Sequence, residues 1–144
     1  MSPQELATAV GIGMMAKDRA SIALGMRLTH ISPSSAHMDK TVAPGMINGF
    51  GTCHGGMITT LADSAFGFAC NSYNELTVAS GLSVDFIAPA FEGDVLTARA
   101  VEVSLRGRTG VYDVTVFNQS GECIALFRGR SHRIKGKKTV ELPA

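Results

Sequence analysis

Hydrophobic and polar positions change rhythm along this chain, and each change marks an element. Between Ile58 and Ala69, apolar side chains fall at Ile58, Leu61, Ala62, Ala65, Phe66 and Ala69. Steps of three and four give a helix one continuous apolar stripe. Met57 and Phe68 widen it, so this helix is expected to be wrapped by the rest of the chain. After Leu76 the period drops to two: Leu82, Val84 and Phe86 alternate with Ser83 and Asp85, as in a strand with one buried face, and Pro89 ends it. Turn signals at Gly93-Asp94, at Arg106–Gly110 and at Asn118–Gly121 then separate Val95–Leu105, Val111–Phe117 and Cys123–Ile134. Four strands joined by short turns are expected to pair antiparallel as a meander, because a parallel return needs a crossover.

Ahead of the central helix, residues 3–24 read as helical. Pro3 suits a first turn, Asp18 caps a short segment that stops before Gly25, and Gly11 with Gly13 is expected to split the remainder. From Met26 to Ala43 the pattern is extended around Pro33-Ser34-Ser35, which predicts a hairpin. No repeat or linker interrupts the chain, so residues 1–144 form one α+β domain. It has a single antiparallel sheet, an N-terminal helical segment (1–24) and a basic tail (135–144). That tail, opening Lys135-Gly136-Lys137-Lys138, reads as a solvated end.

Composition narrows the function classes. Thirteen Lys and Arg against twelve Asp and Glu give a net charge of +1, which is no footprint for nucleic acid. The start lacks a secretory pattern and no apolar run reaches the length of a membrane span, so a soluble, cytoplasmic protein without a membrane partner is expected. Cys53, Cys70 and Cys123 are an odd set without CxxC spacing, which points to neither a disulfide framework nor a zinc site.

Candidate chemistry gathers between residues 44 and 72. Asp63 is the one acid on the apolar helix, and no Lys or Arg occurs between positions 41 and 98 to neutralise it locally. A carboxylate so placed either finds a distant partner or serves chemistry. Gly55 and Gly56 are expected just ahead of the first helical turn, where bare N–H groups and the dipole suit an oxyanion. The same glycines could instead make room for tight packing.

Asn48-Gly49, Cys53-His54-Gly55-Gly56, Leu61-Ala62-Asp63 and Ala69-Cys70-Asn71-Ser72 closely resemble the hotdog-fold acyl-CoA thioesterases of the phenylacetic acid degradation (PaaI) type. Further matches are Val84-Asp85-Phe86, Thr109–Asp113 and Ala125–Ile134, so the likeness covers roughly residues 24 to 134. It implies a long central helix wrapped by an antiparallel sheet, subunits joined edge to edge, and pairs assembling into tetramers. It also implies hydrolysis of an acyl-CoA thioester, with phenylacetyl-CoA or its ring-hydroxylated forms as substrates and no cofactor beyond the substrate's own coenzyme A. By position, Asp63 matches the catalytic acid, Gly55 the amide that polarises the carbonyl, and His54 and Asn48 the supporting residues.

A thioester carbonyl under attack needs a donor at its oxygen and a base or nucleophile at its carbon. Gly55 N–H can be the donor and Asp63 the base or the attacking group. Eight helical residues rise about 12 Å, so the two are expected to meet only across a two-fold axis, in a homodimer with two equivalent sites. His54 could polarise the thioester, orient the loop or simply cap it, and Asn48 could bond a carbonyl or its own turn. Ser64 could hold a water or lie on the helix surface. Cys53 lies near a helix N-terminus and is a weaker nucleophile candidate. Arginines suit the phosphates of coenzyme A. Gly107, Arg108 and Thr109 in one turn, with Arg128, Arg130 and Ser131 on the last strand, are the binding candidates, and Arg128 and Arg130 should share a face. A hotdog dehydratase, or a non-catalytic acyl-CoA-binding module, is the alternative reading.

Overall fold

The computed structural model describes residues 1–143. Its elements run α1 (Pro3–Lys17), α2 (Arg19–Ala23), β1 (Arg27–Ser32), β2 (Ser35–Thr41), a 3-10 turn (Pro44–Met46), α3 (Gly55–Asn71), β3 (Thr77–Phe86), β4 (Val95–Arg106), β5 (Thr109–Phe117) and β6 (Cys123–Arg133). All strand pairs are antiparallel, in one sheet of order β1-β2-β4-β5-β6-β3. This is the α+β hotdog arrangement, a single sheet curved around one long helix.

Alternation decides which face the helix sees. On β5, Gly110, Tyr112, Val114 and Val116 are buried in turn, and on β4 Leu96, Ala98 and Ala100 do the same. These residues pack against Leu61, Ala62, Ala65, Phe66 and Ala69 of α3 in one core. Small residues let the sheet approach closely. A Cβ on Gly129 would stand 2.8 Å from the Phe66 ring, which also packs at 5.6 Å from Tyr112 and 5.9 Å from Phe127. Gly129 is therefore where the concave face presses hardest on the helix.

The structure departs from the sequence reading in four places. The strands after α3 do not form a simple meander: β3 lies beside β6 at the far edge, and residues 87–94 cross back to bring β4 against β2. The hydrophobic pattern was blind to this exchange because β3 and β4 are both strands with either neighbour. The crossing segment is fastened where it passes the start of α3, by Cys53 N–H donating to Ala90 O at 2.7 Å and Gly93 N–H to Val42 O at 2.9 Å.

Gly11 and Gly13 do not split α1, which starts in a Ser2/Glu5 capping box and runs unbroken to Lys17. A Cβ on Gly11 would lie 2.9 Å from Leu28 Cδ2, and one on Gly13 2.9 Å from Val140 Cγ1. These glycines mark close approach to β1 and to the tail. That tail is docked up to Val140: Leu76 N–H donates to Lys137 O at 3.1 Å, Thr139 Oγ1 to Asn71 Oδ1 at 2.7 Å, and Val140 N–H to Asn74 Oδ1 at 2.9 Å. Finally, α3 is wrapped on one side only. Gly56 and Asp63 are exposed and Thr59, Thr60 and Gly67 half-buried, a stripe the protomer leaves open.

Gly129→Ala is expected to lower stability by about 1–3 kcal/mol through overpacking against Phe66, read as a lower urea midpoint with an unchanged m-value.

Candidate active site

The start of α3 is built by a short loop that the chain ties to itself. Asn48 Oδ1 accepts from Phe50 N–H at 2.9 Å and Thr52 N–H at 3.2 Å, while its Nδ2 donates to Thr52 Oγ1 at 3.0 Å. Of the two uses open to Asn48, the structure shows the turn-bonding one. His54 N–H donates to Met46 O at 2.8 Å, which brings the loop's two ends together at the helix cap.

His54 is the N-cap residue. Its Nδ1 accepts the Gly56 N–H at 3.0 Å, so the neutral ring carries its proton on Nε2, on an exposed side chain. The Gly56 N–H is thereby engaged and is not a free donor, which corrects the expectation that both glycines offer one. Met57 and Ile58 N–H turn back to His54 O at 2.9 and 3.3 Å. Gly55 N–H has no acceptor among the described residues, and at the first turn it sits where the helix dipole is most positive. Both glycines belong to the first turn of α3 rather than preceding it.

Tight packing also holds at Gly55. A Cβ there would lie 2.9 Å from Phe86 Cζ, so the edge-strand ring rests directly on the glycine. Beside them is an open pocket of about 450 Å³ whose walls include Cys53, Ile58, Phe86, Ala88 and Pro89. Sequence reasoning missed this role for Phe86 to Pro89, having read Phe86 as an ordinary inward strand residue.

Two turns along α3, Asp63 projects from the open stripe and is not buried as the apolar surroundings suggested. It has no hydrogen bond or ion pair among the described residues. The protein packed around the carboxylate still withdraws enough water to raise its pKa above the ordinary carboxylate range. By the helix rise, Gly55 and Asp63 of one protomer are about 12 Å apart along the axis.

Ser64, adjacent to Asp63, faces the other way: its Oγ lies 3.0 Å from Ser21 Oγ, which donates to Asp18 Oδ2 at 2.7 Å. This hydroxyl joins α3 to α2 and does not stand beside the Asp63 carboxylate waiting for water. Burial pushes the Cys53 thiol's pKa up, so it stays protonated and is a poor nucleophile.

The candidates for coenzyme A divide. Arg128 and Arg130 do share the outer face of β6, but the Arg128 guanidinium is held by Asp113 through contacts of 2.7 and 2.8 Å. Its fork is therefore already filled. Arg130 lies over Gly81. Ser131 points inward and is 1% exposed, with an Oγ that has no partner among the described residues. Gly107 and Arg108 form the tight β4–β5 turn, where Gly107 takes φ 62°, and Thr109 opens β5. Among the described residues no group of three His, Cys, Asp or Glu is placed to hold a metal ion, and no helix is long and apolar enough to cross a membrane.

Comparison with known proteins gives this geometry a family. The thioesterase superfamily profile matches residues 50–125. The acyl-coenzyme A thioesterase PaaI of Escherichia coli is 45% identical over 129 residues, 89% of this chain and 91% of that protein. The solved E. coli PaaI structure, from the phenylacetic acid degradation operon, superposes with a TM-score of 0.92 at 41% identity, covering 94% of this chain and 99% of that one. The TT0310 protein of Thermus thermophilus superposes at 0.79 with 38% identity over 82% of this chain and 99% of its own. With its helix-borne acid, capped glycine turn and hotdog sheet, the chain belongs to the thioesterase superfamily and is a PaaI-type thioester hydrolase.

Proposed function

We propose that this protein hydrolyses phenylacetyl-CoA, or its ring-hydroxylated forms, to the free acid and coenzyme A, in the cytoplasm and as a homodimer that pairs further into a homotetramer. The observation that carries the reading is the separation on one helix of two complementary groups that both lack a partner among the described residues, the Gly55 N–H and the Asp63 carboxylate. Each supplies half of what a thioester needs, and a second protomer supplies the other half. The relatives named for phenylacetic acid degradation and for acyl-coenzyme A hydrolysis support the substrate class.

A two-fold arrangement also answers the unfinished surfaces. β3 is an edge strand of ten residues, exposed on both faces for much of its length, with Val78, Leu82 and Phe86 uncovered. Pairing two copies of β3 would continue the sheet and bring the open stripe of one α3 toward the N-terminus of the other. Val101, Val103 and Leu126 are exposed apolar residues on β4 and β6 that the pairing of dimers would cover. Unpaired cysteines suit a reducing compartment.

In this site the thioester oxygen lies at Gly55 N–H, with the positive end of α3 behind it, so negative charge developing on that oxygen is stabilised without rearrangement. His54 Nε2–H, free of the cap bond, serves as a second donor to the thioester. Asp63 from the partner acts on the carbonyl carbon, directly or by taking a proton from water. The open pocket beside Gly55, walled by Phe86 and Ile58, receives the apolar acyl group.

Asp63→Asn is expected to reduce kcat by about 10²–10⁴-fold with little change in the thermal midpoint, measured by thiol release and by calorimetry. Because Asp63 must be ionised to act and its pKa is raised, kcat/KM should fall with acidification at a pH above that of an ordinary carboxylate. A profile flat down to the ordinary range would remove Asp63 as the base. Mixing Gly55→Ala and Asp63→Asn subunits should restore about a quarter of the wild-type activity, since half the dimers are mixed and each holds one intact site. Inactivity of the mixture would show that both groups act from one chain.

A further inference from the structure

Lys40 is the misfit of the core. It lies on the inward face of β2, opposite Leu96 of β4, with Met38 and Val42 buried before and after it. Its side chain is 1% exposed, and the Nζ has no hydrogen-bond partner among the described residues. An amine buried without a partner is costly, so its presence calls for an explanation.

Cys53 is the neighbour that supplies one. Residues 90–94 are bonded to the chain beside each of the two: Val42 N–H donates to Asp94 O at 2.8 Å and Gly93 N–H to Val42 O at 2.9 Å, while Cys53 N–H donates to Ala90 O at 2.7 Å. The two side chains feel each other's charge. Burial lowers the Lys40 pKa and Cys53 opposes the fall, whereas burial raises the Cys53 pKa and Lys40 opposes the rise. Burial thus favours the neutral amine, which has a lone pair to give. Cys53 also forms part of the wall of the open pocket beside Gly55, which gives a small molecule a route to the sulfur. No second thiol is placed to compete: Cys70 stands near the far end of α3, and Cys123 turns its thiol toward Ala125 O on β6.

We infer that Lys40 and Cys53 form a modification site, at which a peroxide oxidises the thiol and the amine then closes a covalent Nζ–Sγ link between β2 and the residue before the α3 N-cap. In the first step the peroxide O–O bond breaks and an S–O bond forms; sulfur gives up two electrons, and the peroxide is reduced to water and the sulfenic oxygen. In the second, the Nζ lone pair attacks Sγ. An S–N bond forms, the S–OH bond breaks, and the hydroxide leaves with one Nζ proton as a second water. The linked protein is lighter by two hydrogens. Because the thiol is protonated, the first step is slow and the link accumulates under sustained exposure. It spares the sulfur from the irreversible sulfinic acid and pins the loop that carries His54 and Gly55.

The test exposes the intact protein to excess hydrogen peroxide, alkylates the remaining thiols and digests with trypsin without reduction. A linked Lys40 resists cleavage, so the wild type should yield a peptide running from residue 28 to 99. Fragmentation should place a loss of two hydrogens on Lys40 and Cys53, apart from any methionine oxidation. Dithiothreitol should restore cleavage at Lys40. A Lys40→Met variant, whose fold is checked by its thermal midpoint, should carry Cys53 on to the sulfinic acid under the same exposure. Sulfinic acid at Cys53 of the wild type with free cleavage at Lys40 overturns the inference. A disulfide from Cys53 to another cysteine, or a Cys53 that stays reduced in both proteins, overturns it as well.

Discussion

The fold depends on how closely a sheet can bend over a helix. The buried faces of β4 and β6 carry the small residues Ala98, Ala100, Ala125 and Gly129, the last directly against the Phe66 ring, and the helix answers with Phe66 and Leu61. Small residues on the sheet let large ones on the helix fill the gap, and a close-packed interior tolerates little error in that match. With the helix held at that depth, its N-terminus falls beside the crossing segment 87–94, which is bonded to Cys53, and its free stripe faces away from the sheet. The placement of the donor and of the acid is thus a by-product of packing.

That arrangement sets the electrostatics of the site. His54 caps Gly56 and leaves the Gly55 N–H with no acceptor among the described residues, while Phe86 packs on the glycine where a side chain would stand. The bare amide lies in the strongest part of the helix field. Asp63, two turns on, has no ion-pair partner among the described residues, and partial desolvation raises its pKa, the direction that makes a carboxylate a better base. Each group is shaped by neighbours that do no chemistry themselves.

The sequence made some of this plain and concealed the rest for identifiable reasons. α3 was readable because its stripe is long and regular, and the hairpin because Pro33-Ser34-Ser35 stands as a turn signal between two extended runs. His54, Gly55 and Asp63 stood out as polar or bare residues in an apolar stretch, and family likeness gave them roles. Strand order was hidden, since β3 pairs with a partner distant in sequence and periodicity carries no information about neighbours. Gly11 and Gly13 misled because a glycine that admits another element looks, in one dimension, like a breaker. The tail was half legible: its lysines are exposed as they read, yet Asn71 accepts from the Thr139 hydroxyl and Asn74 from the Val140 N–H, which docks the segment from far back in the chain. Asp63 was expected inside the protein because the open stripe on α3 is visible only in three dimensions.

The bare edge of β3 carries a burden of its own. Along ten residues whose other side is bonded to β6, alternate backbone donors and acceptors turn outward, and this edge, fringed by Val78, Leu82 and Phe86, is a template for any extended peptide that drifts past. A newly synthesised chain shows this template from the moment it folds. Strong expression at low solubility would therefore be a contest between orderly pairing and unspecific ribbon growth, and Asp85 is the lone acid along that edge to tilt it.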